Sequence, residues 1–252
     1  MTTNEMYDRL ASVYHLIFSN WDETIINGSE DLDKIIKKYC IGPAESILDV
    51  SCGIGTQVIG LAEIGYKVTG SDLSEMAIQR ARNEAIKRRL NIHLSVADMR
   101  QVYRHHKRQF DVVMSCHNSV THLQTDDDIL TAFKEFYYCV KHGGICLINV
   151  RDYDNEERGT GLIKPFGVRI ENGNKYIVFQ VWDFESSFCH VSMYFVKDDG
   201  KTECQTDVFK TRYYIIGMTR LIELMQEAGF SSVKRLDDCF DGPVIIGKKQ
   251  KV

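Results

Sequence analysis

Residues 47–57 read Ile-Leu-Asp-Val-Ser-Cys-Gly-Ile-Gly-Thr-Gln, an apolar run with a single acid, Asp49, that stops at a small-residue loop containing Gly53 and Gly55. Such a loop can hold a phosphate, hold another charged small molecule, or turn the chain. Spacing tests the first use. A dinucleotide fingerprint needs a third glycine for close helix–strand packing, and that position is Val58. A phosphate-binding P-loop needs Gly-Lys-Ser/Thr, and here Thr56-Gln57 follows Gly55. Both phosphate templates fail.

Outward from this loop the pattern alternates. Helical spacing is expected over 31–40, 57–66, 74–90 and 127–140, with Ser74 as an N-cap. Short apolar strands are expected over 46–50, 67–72, 91–98, 110–116 and 142–150. Strand–helix repetition with near-continuous apolar strands predicts an α/β fold, a Rossmann-like parallel sheet with helices on both faces. The ligand crevice of such a sheet lies beyond the carboxyl ends of its strands. Past residue 155 the chain turns β-rich over 176–184, 188–200 and 203–216, with Asp198-Asp199-Gly200 as a hairpin turn. A helix over 218–230, with Thr219 as its cap, and an antiparallel strand pair close the chain. Four segments follow: an aromatic N-terminal lid (1–30), a core (31–154), an antiparallel extension (155–216) inserted before the last helix, and a closing helix and strands (217–252).

The bulk composition is that of an ordinary globular protein, with 252 residues, 44% hydrophobic and 26% charged. A net charge of -4 supplies no global basic field for nucleic acid, and the run Arg104-His105-His106-Lys107-Arg108 reads as a solvated loop. No apolar stretch approaches the roughly 20 residues that span a bilayer, so no membrane role is expected. The eight cysteines form no C-x-x-C, which argues against a metal knuckle and for reduced thiols in the cytoplasm. No apolar leader precedes the fold.

Acids end successive strands. Asp72 stands where a carboxylate accepts from both hydroxyls of a ribose, and Asp98 ends the next strand, where it could accept from an adenine amino group. With Asp49 they describe a nucleoside without a pyrophosphate. Taken singly, Asp72 reads equally well as a helix N-terminal acid and Asp98 as a turn residue.

The sequences LDVSCGIGT, VTGSD, VADMR and FDVVMSCHNSVTHL together resemble the class I S-adenosylmethionine-dependent methyltransferases. The resemblance implies S-adenosylmethionine as cofactor and S-adenosylhomocysteine as product. It implies a cofactor site of Ser51, Gly53, Gly55, Asp72, Leu73, Ala97, Asp98, Met99, Cys116, His117 and His122, with Asp49 orienting the ammonium group and Tyr14 and Trp21 as a lid. The stretches at 7–21, 117–123, 149–154 and 212–214 further resemble the glycine and glycine/sarcosine N-methyltransferases. That likeness implies a small amino acid as acceptor, its carboxylate on Arg151, with Asn118, Tyr153 and Tyr213 or Tyr214 around it. A planar guanidinium suits a carboxylate because it binds in bidentate fashion; in the alternative Arg151 pairs with Asp152 or Asp154 at the surface. No dedicated base and no metal is assigned. Two other readings share the cofactor residues: a methyltransferase for another small carboxylate or amine, at N or O, and a non-catalytic binding module.

Overall fold

The computed structural model describes residues 3–250. Strands β1 (Ser46–Asp49), β2 (Lys67–Asp72), β3 (His93–Val96), β4 (Phe110–Ser115) and β5 (Val140–Asn149) are parallel, and β10 (Ser231–Leu236) and β11 (Val244–Lys248) add an antiparallel pair. The order is β10-β11-β5-β4-β1-β2-β3. β1 is buried at every position and β4 and β5 nearly so, as expected of strands covered on both faces. One face packs on α6 (Asp126–Cys139) and α7 (Met218–Glu227). The other packs on α2 (Trp21–Tyr39), α3 (Thr56–Glu63) and α4 (Glu75–Lys87). The order reverses between β1 and β4, which places the crevice at their carboxyl ends.

A second sheet, β6 (Leu162–Glu171), β7 (Asn174–Glu185), β8 (Phe188–Asp198) and β9 (Gln205–Tyr214), is a simple antiparallel meander. Its inner face packs on α1 (Thr3–Leu10) and on a 3-10 turn at Tyr14–Ile17. The N-terminal segment therefore lies between the two sheets. Asp8 accepts from the Ser74 hydroxyl at 2.6 Å and Arg80 donates to the carbonyls of Ala11 and Ser12, which ties the segment to α4. His15 meets Glu171 at 2.6 Å, which ties it to the second sheet. Among the described residues no helix is long and apolar enough to cross a membrane.

The Ser74 cap forms as expected, its hydroxyl accepting from Ala77 N at 3.1 Å. Four local expectations need correction. α2 begins at Trp21 rather than 31, capped by Asn20, whose side chain accepts from Glu23 N. Gly28 inside this helix had masked the periodicity upstream of 31. The first three residues of the basic run, Arg104–His106, are helical in α5 (Val102–His106), where the Glu135 carboxylate accepts the Tyr103 and Arg104 amides, and Lys107 ends the helix in a left-handed conformation. Thr219 lies inside α7, and Asp154 from a distant loop accepts the first amide, Met218 N, at 3.1 Å. Strand β6 went unread because Pro165 interrupts its alternation. It is an edge strand with a bulge between Pro165 and Gly167, where proline is tolerated.

The crossing of α2 over α3 depends on Gly60: a Cβ there would lie 2.5 Å from the Ile25 carbonyl oxygen and 2.7 Å from Ser29 Cβ. Gly60→Ala is expected to push the helices apart and lower stability by about 1–3 kcal/mol, as overpacking does elsewhere. Urea unfolding of the two proteins measures this.

Candidate functional site: two adjoining cavities at the strand ends

The loop after β1 makes a tight path. Gly53 (φ +52°) and Gly55 (φ +102°) take left-handed conformations, and a Cβ on Gly53 would meet nothing within 4 Å. Its amides are committed internally. Ser51 N donates to Asp49 Oδ1 at 3.0 Å, Gly53 N to Asp72 Oδ2 at 2.8 Å, Cys52 N to the Ser71 carbonyl and Gly55 N to the Cys52 carbonyl. An anion cradle needs free N–H groups. These four are already paired within the chain, so what they contribute to the cavity is a fixed backbone path rather than donors for a phosphate.

A cavity of about 370 Å³ opens over this loop. Ser51, Gly53, Asp72, Leu73, Ala97, Asp98, Met99, Cys116, His117, His122 and Tyr14 all line it. Asp72 Oδ1 accepts from Ser74 N at 2.9 Å. Each of its oxygens accepts one of these amide bonds, leaving capacity for two hydroxyls. The Asp98 carboxylate is gripped by the Arg100 amide and guanidinium, down to 2.6 Å, so an adenine amino group would have to share it. Three of the expected residues stand behind the wall. Gly55 caps α3. Trp21 donates from Nε1 to the Thr56 hydroxyl at 2.9 Å and stacks under Arg80. Asp49 is fully buried beneath the loop and Oδ2 has no partner; it reaches the cavity only through the Ser51 amide.

A second cavity of about 890 Å³ adjoins the first, and Tyr14, Gln57 and His117 border both. It is lined by Asn118, Arg151 and Tyr213, but not by Tyr153 or Tyr214. Tyr153 is buried and accepts from Asn118 Nδ2 at 2.8 Å, which orients the asparagine. Tyr214 points away and donates to Asp126 at 3.0 Å. The turn after β4 carries two consecutive left-handed residues, His117 (φ +52°) and Asn118 (φ +64°). Such backbone persists only where neighbours over-determine it. Here Asn149 Oδ1 accepts His117 N at 2.9 Å, and Asn118 Oδ1 accepts Arg151 N at 3.1 Å. Arg151 stacks on Trp182 at 4.5 Å and pairs with Glu156 at 2.9 Å rather than with Asp152 or Asp154. Glu156 also holds Lys164 at 3.0 Å. Two cations thus share one carboxylate.

Between the cavities lie Tyr7, Tyr14, Tyr213 and His122. Tyr7 Oη and His122 Nε2 are 2.8 Å apart, and the His122 and Tyr213 rings are 4.7 Å apart. Burial raises the phenols and pushes His122 down to about 4, and it lowers His117 as well. Both imidazoles and all three phenols are therefore neutral near pH 7. Tyr7, Gln57 and Trp182 were missed from the sequence. Tyr7 opens the aromatic segment already noted, and Gln57 is a buried polar residue in the first turn of α3.

Burial pushes the Asp49 carboxyl up to about 7. Its raised value means that the folded chain holds a proton which the unfolded chain releases near pH 4, so stability falls as pH rises from about 4 to about 7. Asp49→Asn removes this slope. The variant is expected to gain on the parent by up to about 4 kcal/mol across that window, with no further change above it. Melting curves of both proteins from pH 4 to pH 8 test the sign.

Residues 47–144 match the family model described as a methyltransferase domain. Over 201 residues the chain is 30% identical to a glycine/sarcosine N-methyltransferase of Parasynechococcus marenigrum (strain WH8102), covering 77% of this chain and 66% of that protein. The chain spans between half and two thirds of the length of such curated relatives. In fold it is similar to DesVI of Streptomyces venezuelae, with a TM-score of 0.83 at 20% identity over 94% of this chain and 97% of that one. It is also similar to an amino pentose methyltransferase of Micromonospora echinaspora with S-adenosylmethionine bound, with a TM-score of 0.78 at 15% identity over 90% and 92%. The match of residues 47–144 to the methyltransferase-domain model, together with the 30% identity over 201 residues, means that the chain belongs to the class I S-adenosylmethionine-dependent methyltransferases, whose fold it shares.

Proposed function

We propose that the protein methylates the nitrogen of a small amino acid of the glycine–sarcosine type, with S-adenosylmethionine as methyl donor. One observation carries the acceptor: Arg151 lines the second cavity, stacked on Trp182, and its carboxylate partner Glu156 is shared with Lys164, so its guanidinium is only partly engaged within the chain. The guanidinium nitrogens not bound to Glu156 can take a substrate carboxylate. The names of the curated relatives support the same acceptor.

The residues of the first cavity fit the cofactor. Asp72 would hold the ribose, the segment Ala97–Met99 would flank the base, and the loop at Ser51–Gly53 would face the aminoacyl end. The cofactor supplies an activated methyl on a sulfonium. The chain's share of the chemistry is positioning and exclusion of water. Arg151 and Asn118 set the acceptor at the junction of the cavities. Neutral Tyr7, Tyr14, Tyr213, His117 and His122 there present dipoles and no cation to oppose a sulfonium. The amine must arrive unprotonated, since its lone pair forms the new N–C bond as the S–C pair leaves with sulfur; the proton of the product ammonium goes to solvent.

A second reading, a larger amine, is favoured by the size of the second cavity, about 890 Å³, and by Asp31 and Asp241 on its lining. Turnover on glycine, sarcosine, dimethylglycine and a panel of amino sugars separates the two: activity on amino sugars alone overturns the amino-acid acceptor.

Arg151→Ala is expected to raise KM for the amino acid while leaving cofactor affinity nearly intact. The cost should be about 2 kcal/mol, the low end for a lost charge partner, because 40% of the side chain is exposed. Unchanged kinetics on the amino acid would sink the carboxylate role. Asp72→Ala is expected to weaken S-adenosylmethionine binding at least about tenfold, the loss of a charged hydrogen-bond acceptor, as calorimetry would show; an unaltered Kd would refute the ribose assignment.

A further inference from the structure

Glu156 lies in the connection from β5 to β6 and lines the second cavity beside Arg151. Both of its oxygens are engaged. Oε1 accepts from Arg151 Nη1 at 2.9 Å and Oε2 from Lys164 Nζ at 3.0 Å. Both cations also lie over the Trp182 ring, 4.5 and 5.1 Å from its centre. Burial raises the Glu156 carboxyl, but the hydrogen bonds from Arg151 and Lys164 outweigh it and hold the group below its ordinary value. Glu156 is therefore ionised at neutral pH, and the cluster of two cations and one anion keeps one positive charge. Among the described residues lining this cavity Arg151 is the one cation, and the remaining charges are Asp31, Asp152 and Asp241. Asp31 pairs with Lys34 at 2.9 Å and Asp152 with Arg235 at 2.8 Å, both partners outside the lining.

A cavity of about 890 Å³ is too large to select a small amino acid by fit. Even in a close-fitting pocket one methylene decides only about 1–3 kcal/mol. Charge discriminates more sharply. We propose that Glu156 is the specificity-determining residue for the acceptor: it leaves Arg151 open to one carboxylate and repels a second, so that the site takes monocarboxylic amino acids and turns away dicarboxylic ones. This rests on the acceptor being an amino acid.

Glu156 holds Nη1 of the guanidinium, which leaves the edge formed by Nε and Nη2, a fork that one carboxylate fills. That carboxylate cancels the charge of the cluster. A second one finds no further cation on the lining and meets Glu156 and the three aspartates instead. Like charges in a partly buried site disfavour one another strongly.

Steady-state kinetics at saturating S-adenosylmethionine tests this, with glycine as acceptor and aspartate as its competitor. The quantity read is the ratio of the aspartate inhibition constant to the glycine KM. The wild type is expected to show a high ratio. Glu156→Gln keeps the size and removes the charge. It is expected to lower the glycine KM and to reduce the ratio at least about tenfold, the effect of one like charge a few ångströms away. Glu156→Asp retains the charge and is expected to retain most of the discrimination. If Glu156 merely props Arg151, Glu156→Gln raises the glycine KM and leaves aspartate excluded, and that result overturns the proposal. Should Glu156→Gln fail to fold, Lys164→Met tests the same balance from the other side. It removes a cation that does not itself line the cavity, and is expected to raise the glycine KM with the cofactor Kd unchanged; an unaltered KM overturns the proposal. A wild type that methylates neither glycine nor sarcosine removes the amino-acid acceptor and this inference with it. A wild type that methylates glycine while Glu156→Gln leaves the ratio unchanged overturns the role of Glu156 alone.

Discussion

Two carboxylates close the backbone of one loop, and the shape of the site depends on it. Asp49 and Asp72 stand at the ends of adjacent strands and accept the Ser51 and Gly53 amides. The chain between them is thereby pinned in a left-handed path that other residues could not follow without strain. Asp72 also accepts at the start of α4. A single side chain thus fixes the loop, the helix entry and the acid that faces the cavity. Burial pushes the Asp49 carboxyl up to about 7, so below that pH the loop is held without a second full charge beneath it.

The N-terminal segment does a different job. Alone it is too short and too aromatic to bury itself, so it takes its partners from both sheets. Asp8 and the Ala11 and Ser12 carbonyls engage α4, whereas His15 and the carbonyls of Ile17 and Phe18 engage Glu171 and Arg169. Between these attachments Tyr7 and Tyr14 hang into the cavities. The two sheets share few direct contacts apart from this segment and the turn at 119–122 against β9.

Much of this was legible in the sequence because the parallel sheet writes itself in local terms. β2 was read to the residue, and the strand-end acids and the hairpin at Asp198–Gly200 were found from apolar runs and turn chemistry alone. What escaped depended on partners distant in the chain. α5 forms because Glu135 caps it from another helix, α7 is capped by Asp154, and β6 hides behind a proline that only an edge strand tolerates. Among the site residues, most of those on strand ends line the two cavities. Trp21, Tyr153 and Tyr214 are aromatic residues whose direction no local pattern sets: the first braces Thr56, the second orients Asn118 and the third turns to Asp126. Glu156 was not anticipated at all, since nothing within its own loop tells that it faces Arg151.

Strand β7 serves two surfaces at once, with even-numbered residues toward the cavity and odd-numbered ones outward over 177–182. A side-chain period of two leaves no room for slippage: one inserted or deleted residue would turn Trp182 to the exterior and Val181 into the binding space. Length variation in this strand is therefore closed to evolution as a means of tuning the pocket. Divergence in the acceptor has to proceed by replacement in place, and insertions belong in the connections at either end of the strand.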